Sequence, residues 1–513
     1  MSPSSEDDRG LVASSKINEV PEVDGAENRA AGRFSSRQLA KGGAWTMLAF
    51  GLSQLLRFGS SLVMTRLLLP EAFGVMAIVV SVISGLCLFS DLGVATSIVH
   101  NPRGAAVEFR NTAWTMQILR SALLCVLTIV CAPLFEMAFP LYPNLGILIQ
   151  VAALGILIEG FSGMAVVLLD RSLDVARKAL IDLAAQAVTV VAMIVWASLD
   201  PTPWAFVAGS LIGSVSHVLI GYAMCGCDRL GWDRKSAKDL LAWGKWSFIS
   251  SGTMFLAAQS DRLMFGTLVP AALLGVYGLA LQLACLAPEL VGRLLRKILF
   301  PVLCRVSQLG EPLGGVFVSC SRPVMVVGGW GLAGVLGGGD LAVQLLYREE
   351  YSDAGWITQI LAVGLWFGAV LHGARSSALV SCGELRRNTL VMVAKLVAGL
   401  VLMPIGYMLG GFPWAIIGFA LADVCKYLVA MLVSAPLRLD AWRAELRLTL
   451  WVAISAAVGW GSAQVVGLLG VPLVGQCIAV FLGVTLVWWN EMLPVLRGAR
   501  RNLLRASSPE STV

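Results

Sequence analysis

The stretch Thr65-Arg66-Leu67-Leu68-Leu69-Pro70-Glu71-Ala72-Phe73-Gly74-Val75 has a second, looser copy further along the chain. The later copy, Gly266-Thr267-Leu268-Val269-Pro270-Ala271-Ala272-Leu273-Leu274-Gly275-Val276, repeats the leucine-rich turn, the proline and the Gly-Val pair with one residue of slip. Each copy follows an unusually polar segment and opens an apolar one. We therefore predict two related halves, because self-similarity along a chain is typical of folds built from repeated units.

The composition places these halves in a membrane. The chain of 513 residues is 57% hydrophobic and 14% charged, with a mean hydropathy of +0.78, which excludes a soluble domain. The apolar runs are unbroken rather than alternating, so helices and not β-barrel strands are expected to cross the bilayer. At roughly 20 apolar residues per crossing, we predict fourteen transmembrane helices, near residues 44–66, 72–91, 112–133, 145–169, 179–199, 204–224, 246–268, 272–292, 313–336, 355–377, 389–409, 413–433, 448–469 and 473–490.

Basic residues alternate along the gaps between these runs. Every second gap is rich in Lys and Arg, as at Arg229 to Lys238, whereas turns such as 136–144 and 410–414 have none. Cytoplasmic loops carry this excess, so both termini are predicted inside and the number of crossings even. We expect a multi-pass protein of the bacterial inner (plasma) membrane, in contact with membrane lipids. The net charge of +6 follows from this topology and indicates no nucleic-acid partner.

The same pattern predicts the organisation of the chain. Two six-helix lobes around a central cavity, plus two extra C-terminal helices, form the expected all-α architecture. The predicted segments are a disordered cytoplasmic tail (1–43), the N-lobe (44–228), a cytoplasmic linker (229–245), the C-lobe (246–437), the extra pair (438–496) and a cytoplasmic tail (497–513).

Metal and catalytic sites are not indicated. Most of the eleven Cys residues fall inside spans, where they are expected to pack as small apolar groups. His100, His217 and His372 stand alone, with no ligand partner in register. We predict no catalytic residue, no metal and no cofactor.

Polar and charged residues inside spans are the candidates for function, because a charge at bilayer depth is costly unless it faces protein or water. Arg57, Arg120 and Lys395 have no obvious local acid and are expected to present positive charge to a cavity. Structural pairing is expected for Asp261 with Arg262 and for Asp423 with Lys426, which are close in sequence. Arg binds phosphate in bidentate fashion and Lys as a point charge, so the pattern favours an anionic substrate.

These residues resemble a known family. The stretch 65–74, the sequence Phe89-Ser90-Asp91-Leu92-Gly93 and the sequence Asp261-Arg262-Leu263-Met264-Phe265-Gly266 are similar to Wzx-type polysaccharide and O-antigen flippases. The resemblance extends from about Arg37 to the last span. It implies the fold of the multidrug/oligosaccharidyl-lipid/polysaccharide exporter superfamily, with two six-helix bundles and alternating access.

The resemblance and the charges together predict a flippase that is not an enzyme. Its expected cargo is an undecaprenyl-diphosphate-linked oligosaccharide repeat unit for exopolysaccharide, capsule or O-antigen assembly, with polymerase or assembly proteins as further partners. The predicted cavity residues are Arg57, Arg262, Lys395, Gln54 and Ser61. The predicted gating or coupling residues are Arg120, Glu159, Asp91 and Asp261. Coupling to a proton or sodium gradient would need buried acids, for which Glu159, Asp182, Glu289 and Asp423 are the candidates.

Three alternatives stay open. A multidrug cation exporter of the same superfamily should present acids and aromatics to its cargo, and the arginine in the first span argues against it. A membrane-embedded polymerase or glycosyltransferase needs a sizeable outer loop, for which the longest candidate, 337–351, gives little room. A structural member of an assembly complex would use the polar helix faces for packing.

Overall fold

The computed structural model describes residues 36–89, 94, 97–98, 104, 106–172 and 174–507, and within these ranges the chain is almost entirely helical with no strand. The predicted all-α class is confirmed. In chain order the α-helices are α1 (Ser36–Leu67), α2 (Pro70–Phe89), α3 (Val107–Ala138), α4 (Leu145–Gly160), α5 (Met164–Arg171), α6 (Val175–Leu199), α7 (Trp204–Cys225), α8 (Arg234–Leu268), α9 (Ala271–Ala284), α10 (Leu286–Leu294), α11 (Phe300–Gln308), α12 (Leu313–Leu346), α13 (Ala354–Leu365), α14 (His372–Ser381), α15 (Leu385–Ser434), α16 (Trp442–Leu468) and α17 (Leu473–Ser507).

Judged by helix length and composition, fewer candidate spans are found than the fourteen predicted. In the part of the chain that the structure describes, nine helical segments pass that test, or eleven if each of two bent pairs forms one span. The long and rather polar helices α1 and α8 are not among them. In addition, α15 passes as a single segment although it is long enough to cross twice. The count of fourteen is therefore not confirmed, and the difference lies in these three helices.

Helix α15 is a hairpin rather than one straight rod. Its 50 residues are interrupted at Gly410 and Gly411, and Gly411 has φ +71°, a left-handed conformation that favours glycine. A methyl group at Gly418, on the second leg, would collide with the Leu402 carbonyl on the first. The two legs therefore pack closely side by side.

Two other spans are broken. Helices α4 and α5 meet at a 69° bend, and the segment from α10 to α11 leaves α9 at 42°. Short π-helical turns at Leu295–Leu299 and Trp366–Leu371 interrupt the second half. In the second of these turns the carbonyl of Gly368 accepts a hydrogen bond from the Lys426 side chain.

Helix α8 begins inside the stretch that was predicted as a linker, 229–245. Its first residue is Arg234, and the Asp233 carboxylate accepts hydrogen bonds from the Lys235 and Ser236 amides at 3.4 and 2.9 Å. This N-cap satisfies amide donors that the first helical turn leaves free. The polar N-cap sets the residue at which α8 begins, whereas the sequence prediction placed the linker from the distribution of charge alone.

The two related halves, α1–α7 and α8–α15, meet along α2, which packs against α8 and α9. The largest buried cluster forms there. It includes Ile78 and Val79 of α2, Phe265 of α8 and Tyr277 of α9, each essentially inaccessible to solvent. Phe265 and Tyr277 are in edge contact, with ring centroids 4.8 Å apart.

The last two helices dock on the second half through charges as well as apolar contacts. Arg375 of α14 donates to the Glu445 carboxylate of α16 through Nε at 3.0 Å and Nη2 at 2.6 Å, and through Nη1 to Ser434 Oγ at 2.8 Å. The Tyr427 hydroxyl donates to the same carboxylate at 2.7 Å. Arg375 and Glu445 are buried, so these hydrogen bonds satisfy a charge pair that would otherwise be costly.

Candidate functional site: a cationic cavity between the halves

A cavity of about 920 Å³ lies between α1–α4, α6 and α7 on one side and α8 and α9 on the other. Each helix contributes one face. On α3 the lining residues are Gln117, Arg120, Ser121 and Leu124, at the spacing that places side chains on one side of a helix. On α2 the lining extends from Phe73 to Cys87, which corresponds to about 21 Å of helix.

The wall of this cavity is mixed in chemistry. Apolar residues of α2 and α4 form much of it. Hydroxyl and amide groups from α2, α3, α7, α9 and the turn after α4 are added to this apolar wall. The polar uncharged lining residues are Ser84, Gln117, Ser121, Ser162, Ser210, Ser214 and Gln282.

Three arginines line the cavity, and the sequence predicted all three as functional. Arg57 comes from α1, Arg120 from α3 and Arg262 from α8. None of the ion pairs among the described side chains involves Arg57 or Arg262. Arg262 has a long hydrogen bond to Gln259 Oε1, at 3.4 Å. Two guanidinium groups are therefore free of carboxylates at the surface of the cavity.

Arg120 and Glu159, predicted as a gating pair, both line the cavity. Arg120 Nη2 donates to the carbonyl of Cys87 at 2.7 Å, which attaches α3 to α2. The Glu159 carboxylate lies beside the imidazole of His217. The structure thus brings both residues to the cavity and gives Glu159 a partner that the sequence interpretation missed.

His217 lies between two carboxylates from two other helices. Its Nδ1 is 3.7 Å from Glu159 Oε2 and its Nε2 is 3.5 Å from Asp182 Oδ1. The prediction that this histidine stands alone was wrong, because α4, α6 and α7 bring together residues that are far apart in sequence. Half of the Glu159 and Asp182 side-chain surface stays accessible, 50% and 53%. Imidazole changes charge near neutral pH, so this cluster can take up and release a proton.

Two residues predicted for the cavity lie elsewhere. Gln54 Nε2 donates to Glu289 Oε2 at 2.9 Å, which joins α1 to α10 across the two halves. Ser61 is buried, with 8% of its surface exposed. Among the described side chains of α1, the cavity lining includes Arg57.

Lys395 does not line the cavity and has an acid partner, contrary to prediction. Its Nζ is 2.7 Å from Asp423 Oδ1 and lies over the Phe419 ring at 4.8 Å. Lys426, the partner predicted for Asp423, donates instead to the carbonyl of Gly368 at 2.8 Å. Asp423 pairs with Lys395 and not with Lys426 because the hairpin of α15 places its first leg, which carries Lys395, beside its second.

The predicted pairing of Asp261 with Arg262 is also wrong, since consecutive side chains on a helix point in different directions. Asp261 is buried and accepts a hydrogen bond from the Tyr277 hydroxyl at 2.6 Å, while Arg262 points to the cavity. Asp91, the remaining predicted residue, lies outside the described residues.

The sequence interpretation missed His217 and the polar wall of α7. Ser210, Ser214 and His217 follow one another at intervals of four and three residues, the spacing of one helical face. That periodicity was a usable signal. The contact of His217 with Glu159 and Asp182 gave no such signal, because a single sequence does not show which spans become neighbours.

This fold and cavity define a helical membrane protein of the transporter type, in which two related halves enclose a polar, cationic space. The family model described as polysaccharide biosynthesis protein matches residues 63–356. That match covers more than half of the chain. The chain therefore belongs to this polysaccharide biosynthesis family, as the resemblance of its motifs predicted.

Two curated proteins are related over part of their length. The lipopolysaccharide biosynthesis protein WzxC of Escherichia coli (strain K12) is 22% identical over 325 residues, 63% of this chain and 66% of WzxC. The teichuronic acid biosynthesis protein TuaB of Bacillus subtilis (strain 168) is 19% identical over 300 residues, 57% of this chain and 61% of TuaB. The matched stretch thus spans slightly less than two thirds of each relative.

Solved structures share the fold. The lipid II flippase MurJ in an inward closed conformation matches with a TM-score of 0.67 and 10% identity, over 88% of this chain and 99% of MurJ. An inward-facing multidrug resistance MATE transporter of the MOP superfamily matches with a TM-score of 0.59 and 15% identity, over 79% of this chain and 98% of the transporter. At these identities the likeness concerns the fold.

Proposed function

We propose that this protein flips an undecaprenyl-diphosphate-linked oligosaccharide repeat unit across the bacterial inner membrane, with both of its termini in the cytoplasm. The product would serve exopolysaccharide, capsule or O-antigen assembly, in cooperation with polymerase or assembly proteins. The observation that carries the proposal is the cavity that Arg57, Arg120 and Arg262 line, where Glu159 is the one carboxylate among the described lining residues. The protein would act as a transporter and not as an enzyme.

The chemistry of the cargo fits this wall. A sugar diphosphate carries negative charge and many hydroxyl groups, and both must be shielded from hydrocarbon during transfer. Arginine guanidinium groups bind phosphate oxygens in bidentate geometry, and the serine and glutamine side chains can exchange hydrogen bonds with sugar hydroxyls. The lipid tail would stay in the bilayer, so only the head group needs to enter the cavity.

The names of the relatives support the proposed function. WzxC and TuaB are named for the biosynthesis of lipopolysaccharide and teichuronic acid, and MurJ is named a lipid II flippase. A cation exporter, by contrast, would be expected to present acids to its cargo, whereas this cavity has an excess of arginine.

The test is a flipping assay in proteoliposomes that contain the host's lipid-linked oligosaccharide. An added glycan-cleaving enzyme that cannot cross the bilayer reports how fast inner-leaflet head groups reach the outer leaflet. We expect protein-dependent exposure that is lost in Arg57→Ala. The matched control is Arg386→Ala, an exposed arginine at the start of α15 and away from the cavity, which should flip at the normal rate.

Other outcomes would redirect the proposal. If no head groups are exposed but the glycan becomes longer, the protein is a polymerase. If cells that express the protein resist cationic dyes while the liposomes show no flipping, it is a drug exporter. Equal flipping by Arg57→Ala, Arg262→Ala and the parent protein would remove the cationic cavity from the mechanism.

We further propose that transport is coupled to a proton gradient through His217. The support is its position between Glu159, which lines the cavity, and Asp182. Lys178, one turn before Asp182, adds positive charge nearby and pairs with Asp170. If sodium were the coupling ion instead, an imposed sodium gradient, and not a pH gradient, would accelerate flipping in the same liposomes.

A further inference from the structure

Two tyrosines connect the halves at one end of the cavity. Tyr142, in the turn between α3 and α4, donates its hydroxyl hydrogen to the carbonyl of Val269, which directly follows α8, at 3.2 Å. Tyr351, in the turn between α12 and α13, donates to the carbonyl of Leu68, which directly follows α1, at 2.9 Å. Each bond therefore crosses from one half to the other, in opposite directions.

The internal repeat places the two hydrogen bonds at equivalent positions in the two halves. Val269 lies six residues before Gly275, and Leu68 lies six residues before Gly74, the two glycines that the repeated motif aligns. Both donors lie in the turn between the third and fourth spans of their own half. A single arrangement is thus present twice, once from each half.

Both phenol rings are buried and pack against aromatic neighbours. Each tyrosine has only 1% of its surface exposed. Tyr142 is in edge contact with Phe139, at 6.3 Å between ring centroids, and Tyr351 with Phe73, at 5.9 Å. Phe73 belongs to α2 and also lines the cavity, so the aromatic cluster around Tyr351 forms part of the cavity's end.

The acceptors are suited to a bond that breaks and forms again. The last carbonyls of a helix have no partner within that helix, so a donor from outside satisfies them. The turn 136–144 at this end has no Lys or Arg, which assigns it to the outer surface, although Arg66 and Arg348 lie at the same end. If the halves separate there, water can replace the tyrosine hydroxyl at each carbonyl, which keeps the net change in free energy small.

We propose that Tyr142 and Tyr351 form a two-point latch that closes the cavity toward the predicted outer surface. Opening toward that surface breaks both bonds, and closing restores both. The latch rests on the proposed function only in that the head group leaves through this end. It predicts a closed state that depends on two hydroxyl groups and not on a bound substrate.

The test measures access to the cavity without any substrate. Val80 lines the cavity and is 45% exposed, so Val80→Cys in the otherwise native full-length chain provides a thiol inside it. Cells or right-side-out vesicles are treated with a membrane-impermeant maleimide, and mass spectrometry quantifies modification of each cysteine peptide separately. Cys477 near the start of α17, partly exposed, reports general loosening of the fold.

We expect Tyr142→Phe with Tyr351→Phe to raise the labelling rate at position 80 by about tenfold, and each single change by a few fold, since two bonds of modest strength are lost. The matched control is Tyr407→Phe. Its hydroxyl donates to the neighbouring carbonyl of Leu268 at 2.9 Å, but this bond joins α15 to α8 within one half. Labelling at position 80 should be unchanged in that variant.

Two results would overturn the latch. Unchanged labelling at position 80 in the double variant would show that other contacts close this end. A parallel rise at position 80 and at Cys477, or an equal rise in Tyr407→Phe, would show that the hydroxyls only stabilise the fold. Because no cargo is present, either result leaves the flipping assay to be judged separately.

Discussion

Gly74 and Gly275 lie against each other's helices in a reciprocal contact. A methyl group at Gly74 of α2 would collide with the backbone carbonyl of Ala271, and one at Gly275 of α9 would collide with the carbonyl of Pro70. These are the glycines of the repeated motif, so the resemblance between residues 65–75 and 266–276 has a direct structural cause. The two helices can approach this closely only without side chains at both positions.

Replacing either glycine by alanine should destabilise the protein. Overpacking usually costs about 1–3 kcal/mol, and here the obstacle is backbone, which cannot rotate away. We expect Gly74→Ala and Gly275→Ala to lower the melting temperature in detergent by several degrees. Gly334→Ala is the control, because a methyl group there has nothing within 4 Å. Equal melting temperatures for all three variants would contradict the close contact.

Arg57 and Arg262 should matter for transport and not for folding. Neither takes part in an ion pair among the described side chains, so replacing them leaves no buried carboxylate behind. We predict that Arg57→Ala and Arg262→Ala reduce flipping at least tenfold, about 1.4 kcal/mol, with an unchanged melting temperature. The measurement is the liposome assay together with a thermal scan of the same preparations. A loss of flipping that merely follows a loss of stability would count against direct contact with the cargo.

Lys395 and Asp423 should show the opposite behaviour. Removing one partner of a buried ion pair leaves an uncompensated charge and costs about 3–5 kcal/mol, whereas apolar replacement of both is often neutral. We therefore expect Lys395→Met to destabilise the protein clearly and the double variant Lys395→Met with Asp423→Leu to recover part of the loss, since the charge of Asp423 also acts on Lys426. Thermal scans of detergent-purified protein measure both effects.

The control for that experiment is an exposed pair of similar geometry. Glu384 and Arg387 are 3.2 Å apart, and more than a third of each side chain is accessible. Surface pairs of this kind contribute about 0–1 kcal/mol, so Arg387→Met should change the melting temperature very little. If Lys395→Met behaves like Arg387→Met, the pair with Asp423 is not stabilising.

His217 should determine the response to pH. We predict that His217→Gln and Asp182→Asn flip substrate in the absence of a gradient but are no longer accelerated by an imposed pH gradient. In the parent protein the rate should change between about pH 5 and 8, where imidazole gains or loses its proton. Ser216→Ala, a partly exposed neighbour whose hydroxyl bonds its own helix backbone, is the control. A pH response that survives in His217→Gln would reject this histidine as the coupling group.

Titration of Tyr142 should not open the predicted outer end in the physiological pH range. Burial raises the pKa of Tyr142 above its usual value, so the phenol keeps its hydrogen in the closed state. The free phenol loses its hydrogen only near pH 10. Closure is thus favoured below that pH and weakens above it. Because the reaction of a thiol with maleimide itself speeds up with pH, the readout is a ratio: the labelling rate at position 80 in the double tyrosine variant, divided by that in the Val80→Cys parent, should stay constant from pH 6 to 8.5.

The sequence predicted the features that depend on local pattern. The alternation of basic gaps, the length of the apolar runs and the repeated motif indicated a helical membrane protein with two related halves. Arg57, Arg120, Glu159 and Arg262 were found because charge inside an apolar run is rare, and all four line the cavity.

The features that were missed depend on which helices become neighbours. Lys395 and Asp423 are joined by a hairpin turn at two glycines, and His217 meets Asp182 only after α6 and α7 pack together. Tyr142 and Tyr351 carried no signal, since a tyrosine in a turn is common and its acceptor is a backbone carbonyl of the other half. Pairing between distant segments is set by packing, and a single sequence does not record it.

The buried contact between Arg375 and Glu445 makes the second half depend on the last two helices. The arginine belongs to the second half, but its carboxylate partner is supplied by the appended helix α16. A shorter protein that ended before Trp442 would leave this guanidinium inside the bundle without an acid. Gain or loss of the last two helices during evolution would therefore have to be accompanied by a change at position 375. Relatives without these helices should carry a neutral residue there.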